Sequence, residues 1–184
     1  MGSLSEAVLG NGELSYMNIG LSRAPYWGGF TNTFTYRNWE LYMHTTYSLN
    51  YKVYNSILAE YTSGTSWTSS NLHKVPSSLK IWENPGDKAD IPMVNADPAF
   101  VQELNDETSF CYTDASHLRI SNIRLTYNFP RQWMKVVGVQ SAALSFSCDN
   151  VYTFASKFFS GMDPENVGGW AAPRRFIFSL NVTF

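Results

Sequence analysis

The last ten residues, 175–184, read RFIFSLNVTF. Phe176, Phe178, Leu180, Val182 and Phe184 fall on one side of an extended chain. Arg175, Ser179, Asn181 and Thr183 fall on the other, where Ile177 is the one apolar member. A repeat of two defines a β-strand with one apolar and one polar side. A soluble protein seldom ends on an exposed Phe after such an alternation. A strand with lipid on one side and a wet lumen on the other has this pattern.

The same alternation recurs. Residues 28–36 place Phe30, Phe34 and Tyr36 opposite Thr31, Thr33 and Thr35. After a polar break at Arg37 and Asn38, residues 39–50 set Trp39, Leu41, Met43, Tyr47 and Leu49 against Glu40, His44, Thr46 and Ser48, with Tyr42 among the polar set. Residues 117–129 carry Ile123, Leu125, Tyr127 and Phe129 on one side. Leu118 and Ile120 have the other parity, which predicts a bulge near Ser121. Residues 142–154 place Leu144, Phe146, Cys148, Tyr152 and Phe154 opposite Ser145, Ser147 and Asp149. With 174–184 this makes five strands, and a sixth is expected within residues 5–19. The segment RQWMKVV after Pro130 is expected to make one or two helical turns closed by Gly138.

The connections alternate in length: two residues at 37–38, about sixty at 55–116, a short one at 130–140, and a longer one at 155–173. The longest is rich in Ser, Thr, Asn, Gly and Pro, with short helices expected near residues 77–82 and 98–104. Short turns on one side and long loops on the other are the habit of outer-membrane barrels. On that reading the final strand runs inward and Phe184 ends at the periplasmic rim. Strands of about ten residues, rising roughly 3.3 Å per residue and tilted near 40°, cover about 25 Å of bilayer. Tyr36, Trp39, Tyr51, Tyr54, Tyr127, Trp133, Tyr152 and Trp170 near strand ends suit interfacial girdles. The expected fold is therefore all-β, an antiparallel transmembrane barrel wall with long outer loops.

Composition agrees with this reading. Aromatic residues make up 16% and charged residues 15%, against a usual quarter or so for the latter. A net charge of −2 gives no reason to expect nucleic acid as a partner. There is no apolar run of about eighteen residues, so no transmembrane helix is expected. The first residues lack the basic and apolar regions of a secretory signal. Cys111 and Cys148 could pair in an oxidising compartment, but Cys148 continues the apolar set and reads better as a small hydrophobe.

No chemistry-bearing constellation stands out. His44, His73 and His117 lack ligand spacing, and the Asp114–His117 run reads as a polar turn. Asp163 and Glu165 flank Pro164 in a Gly-rich loop and suit turn roles better than acid–base work. Gly28-Gly29 and Gly168-Gly169 lack a phosphate-loop context. No catalytic residue, metal or cofactor is expected. Trp67, Trp82 and Trp170 could stack on sugar rings or simply pack a large loop.

Several stretches resemble the C-terminal part of the SusC/RagA family of TonB-dependent outer-membrane transporters. They are GGFTNTFTYRNWEL (28–41), WENPGDKADIP (82–92), ASHLRISNIRLTYNFP (115–130), DNVYTF (149–154), GMDPE (161–165) and PRRFIFSLNVTF (173–184), six in the family's order. His117 stands where the family usually has Tyr. The resemblance implies a much longer protein, with a signal peptide, a TonB-contacting segment, an N-terminal plug and a barrel of about 22 strands. This chain would supply the last five or six strands, without the plug. It implies import of oligosaccharides or peptides with a SusD-like lipoprotein, energised through TonB, in the outer membrane of a Gram-negative bacterium. It further implies that the terminal strand, with Phe176, Phe178, Leu180, Val182 and Phe184, is read by the outer-membrane assembly machinery. Glu40, His44, Arg124 and Asp149 are expected on the lumen side. Two rival expectations are a soluble β-sandwich binding glycans through its tryptophans, and a truncated barrel piece without function.

Overall fold

The structure is a computed structural model that describes residues 18–62, 75–92 and 109–184. Its strands are β1 (Tyr26–Tyr36), β2 (Trp39–Leu49), β3 (Lys52–Tyr54), β4 (Tyr112–Asp114), β5 (His117–Asn128), β6 (Ser141–Phe154) and β7 (Arg175–Thr183). Its helices are α1 (Ser56–Thr62) and α2 (Arg131–Val137). The chain forms two compact units. A sheet unit takes Tyr26–Leu49, His117–Phe154 and Ala172–Phe184. A loop unit takes the described residues of Met1–Pro25, Asn50–Ser116 and Ala155–Ala171. The sixth strand expected within residues 5–19 falls almost wholly outside the described residues, as does the helix expected near 98–104.

The sheet unit is five strands in the order β1-β2-β5-β6-β7, every neighbouring pair antiparallel. β1 and β2 are joined by the two-residue turn Arg37-Asn38. Arg37 takes φ 54°, as a tight hairpin turn that follows the strand twist requires. Asn38 ties the turn to the third strand of the sheet, donating through Nδ2 to the Asn128 carbonyl at 2.7 Å. β5 and β6 are joined through α2, which starts after Pro130 and ends at Gly138, whose φ of 73° places it in the left-handed region of a helix C-cap.

Register carries the alternation of each strand across the whole sheet. Phe34 faces Leu41, Leu41 faces Leu125, Leu125 faces Phe146 and Phe146 faces Phe178. The next apolar row toward the short turns runs Tyr36, Trp39, Tyr127, Leu144, Leu180. The parity change in β5 is absorbed where expected. The β2–β5 register shifts between His44 and Thr45, and the β5–β6 register between Ile120 and Asn122, which leaves Ser121 as the extra residue. Ile120 and Leu118 thereby rejoin the apolar side, opposite Thr45 and Tyr47. β6 adapts with Asn150 at φ 52°.

The loop unit contains buried clusters of its own. Ile57, Leu58 and Tyr61 of α1 pack with Leu79 and Ile91, and Val75, Ile81, Phe110, Phe158 and Met162 close around them. Tyr51, Ala115 and Phe159 form a second cluster. The short β3–β4 ladder is extended by backbone bonds from Asn55 to Cys111 and from Ala115 to Tyr51. α1 was not expected from the sequence. Its start is fixed by Asn55, which accepts from the Leu58 N–H at 3.0 Å through Oδ1, as an N-cap does. The helix expected near residues 77–82 is instead a turn, closed by Leu79 N–H on the Pro76 carbonyl, followed by a bridge of Ile81 with Ile91.

Candidate functional site

The functional surface is the five-stranded sheet itself, whose two faces differ in chemistry. One face is apolar and uncovered. Phe30, Phe34, Trp39, Leu41, Leu125, Leu144, Phe146, Tyr152, Phe154, Phe176, Phe178 and Leu180 are all exposed, Phe178 at 76%. In a water-soluble domain these residues would be the core. Among the described residues the buried apolar clusters belong to the loop unit, and the sheet leaves its apolar side exposed. A contiguous exposed patch of this extent marks an interaction surface. Of the terminal set, Phe176, Phe178, Leu180 and Val182 pair with Cys148, Phe146, Leu144 and Ala142, so the structure brings them onto this face. Phe184 lies one residue beyond β7 and is 84% exposed.

The opposite face is a polar lattice. His44 Nδ1 and Thr31 Oγ1 share a hydrogen bond of 2.9 Å, and Thr46 and Ser121 hydroxyls meet at 3.0 Å. Asn122 donates to Asp149 Oδ1 at 2.7 Å, and Arg175 forms an ion pair with Asp149 Oδ2 at 3.1 Å. The Arg124 guanidinium sits 4.9 Å from the centre of the Tyr42 ring. Glu40, His44, Arg124 and Asp149 thus occupy one face, and the structure adds Thr31 as the partner of His44, and Asn122 and Arg175 as the partners of Asp149. Alternation alone had placed Tyr42 as an anomaly among polar residues; its cross-strand pairing with Arg124 accounts for it.

The aromatic residues separate by position. Trp39 and Tyr127 are in ring contact at 4.7 Å, and Tyr127 meets Phe129 edge-on at 5.2 Å, next to the short turns. Tyr152 and Phe154 meet at 4.6 Å near the opposite end of the same face. Tyr51 departs from the girdle expectation: it is buried in the loop unit. Tyr54 and Trp170 also belong to the loop unit.

Several of the remaining residues singled out in the sequence serve structure. Cys111 and Cys148 are buried thiols, neither in a disulfide. Asp114 accepts from Ser116, and Asp163 Oδ1 accepts from the Glu165 N–H at 3.0 Å, so both acids shape turns. In the loop unit a groove of about 550 Å³ is lined by Ile57, Tyr61, Ser160, Met162, Gly169 and Trp170, among others. Burial pushes the Tyr61 phenol above its ordinary range, with Glu60 adding to the shift. Trp170 is exposed and Trp82 half-buried; Trp67 and His73 lie outside the described residues. Among the described residues no group of His, Cys, Asp or Glu has the arrangement of a metal site.

Fold and faces together define a class: a two-faced antiparallel sheet of the membrane-barrel type, its strands joined by alternately short and long connections. Known proteins resemble the chain over most of its length. The chain is 28% identical over 167 residues to TonB-dependent receptor P3 of Formosa agariphila, covering 89% of this chain and 15% of the relative. It is 26% identical over 172 residues to TonB-dependent receptor P26 of the same organism, covering 85% of this chain and 16% of the relative. Among solved structures it is similar to the RagAB peptide importer in its closed-closed state, with a TM-score of 0.69, 18% identity, and coverage of 96% of this chain and 20% of the other. The open-open state gives a TM-score of 0.63 at 21% identity, over 88% of this chain and 17% of the other. No family model matches the chain. The chain thus spans about a sixth of the length of these relatives. The resemblance to TonB-dependent receptors of the SusC/RagA kind, read from six motifs, is borne out by these likenesses, whose names are those of receptors and importers rather than enzymes.

Proposed function

We propose that this chain forms part of the barrel wall of a SusC-like, TonB-dependent importer in the outer membrane of a Gram-negative bacterium. The observation that carries the reading is the apolar face, continuous across five hydrogen-bonded strands and uncovered, set back to back with a polar lattice. The apolar face meets lipid. The polar face, with Glu40, His44, Arg124 and Asp149, lines the lumen. The long connections point outward and the short turns toward the periplasm. The nutrient is an oligosaccharide or a peptide, captured with a SusD-like lipoprotein, and TonB supplies the force. The strand carrying Phe176, Phe178, Leu180, Val182 and Phe184 is the signal for the assembly machinery. The likeness to the RagAB peptide importer supports import.

A soluble β-sandwich would need a second sheet over the apolar face, and that face is exposed. The test is detergent phase partition of the complete receptor carrying this chain. It is expected in the detergent phase and the outer-membrane fraction; recovery as a detergent-independent soluble monomer overturns the proposal.

A further inference from the structure

We propose that α2 is an interfacial anchor that binds the phospholipid leaflet at the short-turn end of the sheet, with Trp133 and Val136 entering the headgroup–acyl boundary and Arg131 and Lys135 meeting lipid phosphates. The inference rests on the membrane reading above and adds a lipid-binding element to it. At 100° per residue, Trp133 and Val136 share one side of the helix, and Arg131 and Lys135, four apart, share the opposite side. A helix with opposed apolar and basic sides normally hides the apolar side against its own protein. α2 does the reverse. Trp133 is 56% and Val136 87% exposed, while Met134 between them is the residue that is half-buried.

Three further observations select lipid as the occupant. The helix RQWMKVV holds two cations and no acid, so its charge complements a phosphate-bearing surface. Only Pro130 separates it from Phe129, whose ring neighbour Tyr127 belongs to the aromatic row with Trp39 on the apolar face. The helix is also held in place. Gly138 N–H bonds to the Lys135 carbonyl and Val139 N–H to the Met134 carbonyl, and Gln140 N–H is bonded to the Thr183 carbonyl of the terminal strand. A short amphipathic helix fixed at the rim of a lipid-facing sheet lies in the interface plane, its apolar side roughly 5–10 Å into the headgroup–acyl boundary.

The experiment uses the complete receptor carrying this chain, reconstituted in phosphatidylcholine–phosphatidylglycerol vesicles with doxyl quenchers at a shallow or a deep acyl position. The emission of Trp133 is taken as the difference between wild type and Trp133→Phe, and that of Trp39 likewise with Trp39→Phe. Trp133 is expected to be quenched more strongly by the shallow label than by the deep one, and to be shielded from aqueous iodide. Arg131→Gln with Lys135→Gln is expected to weaken that quenching several-fold in phosphatidylglycerol-containing vesicles relative to pure phosphatidylcholine. If Trp39 is quenched from lipid while Trp133 responds to iodide alone, the anchor is overturned and the membrane wall stands. Trp133 shielded from iodide and lipid labels alike points to a protein partner and overturns it too. If neither tryptophan is quenched from lipid, the membrane reading itself falls.

Discussion

At the scale of single residues, the loop unit depends on a few polar groups placed where the backbone needs them. Asn55 is fully buried, caps α1 through Oδ1, and directs Nδ2 to the Phe158 carbonyl at 3.4 Å. Asn55→Ala removes the cap and is expected to cost about 1–2 kcal/mol of local stability, read as faster amide exchange in residues 56–62. Asp90 is a second such group. Its carboxylate is held by Lys157 and by the Lys80 N–H, and the Lys157 hydrogen bond is the main reason its pKa lies below the ordinary carboxylate range. Because the folded value is depressed, the contribution is present above the unfolded pKa, near 4, and is lost as pH falls through the lower folded value. The protection factors of residues 75–92, taken relative to the intrinsic exchange rate at each pH, are therefore expected to fall below about pH 4, and Asp90→Asn to remove most of that pH dependence. Gly28 illustrates a steric constraint: a Cβ there would meet the Tyr47 hydroxyl at 3.0 Å and the edge of its ring at 3.2–3.4 Å. Gly28→Val displaces that ring from the neighbouring strand and is expected to cost about 1–3 kcal/mol, measured as a lower unfolding midpoint in denaturant.

At the scale of elements, the strands were legible because a period of two is imposed by backbone geometry and needs no tertiary knowledge. The bulge at Ser121 was legible for the same reason, since Leu118 and Ile120 disagreed in parity with Ile123 and Leu125. α1 was missed because its apolar residues follow a strand directly and sit in a stretch dominated by loop composition. Its one local signal, Asn55 ahead of Ile57, Leu58 and Tyr61, is a cap that the sequence does show. The partners of the polar face, such as Asn122 with Asp149 and Arg175, were not legible, because they depend on register between strands far apart in the chain. The parity of β6 offers a sharp contrast between adjacent residues. Phe146 lies in the middle of the apolar face and Ser147 on the polar face. Phe146→Arg is expected to destabilise the membrane-inserted form by about 2–4 kcal/mol, whereas Ser147→Arg is expected to be tolerated. Yield of folded receptor in the outer membrane, compared by heat-modifiable electrophoretic mobility, reads both; equal defects would contradict the assignment of faces.

At the scale of the whole molecule, the sheet ends in two strands, β1 and β7, that each have a single neighbour among the described residues. Each therefore presents a row of backbone donors and acceptors on its outer side. In water such an edge recruits other chains; in hydrocarbon each unsatisfied group costs several kcal/mol, which is why barrels close. Five strands cannot meet edge to edge around a lumen, since even the smallest bacterial barrels use about eight. The apolar face raises the same difficulty in a second form, because it asks for lipid or detergent while the edges ask for strands. The 184-residue chain produced alone is thus expected to associate through β1 and β7, giving large detergent-bound species without the heat-modifiable mobility of a closed barrel. Supplied within the complete receptor, the same residues are expected to resist proteolysis throughout the sheet unit. Size-exclusion chromatography with light scattering in detergent decides the point for the isolated chain. A monodisperse, heat-modifiable monomer would falsify the view that both edges need further strands, and would require β1 and β7 to find partners within the chain itself.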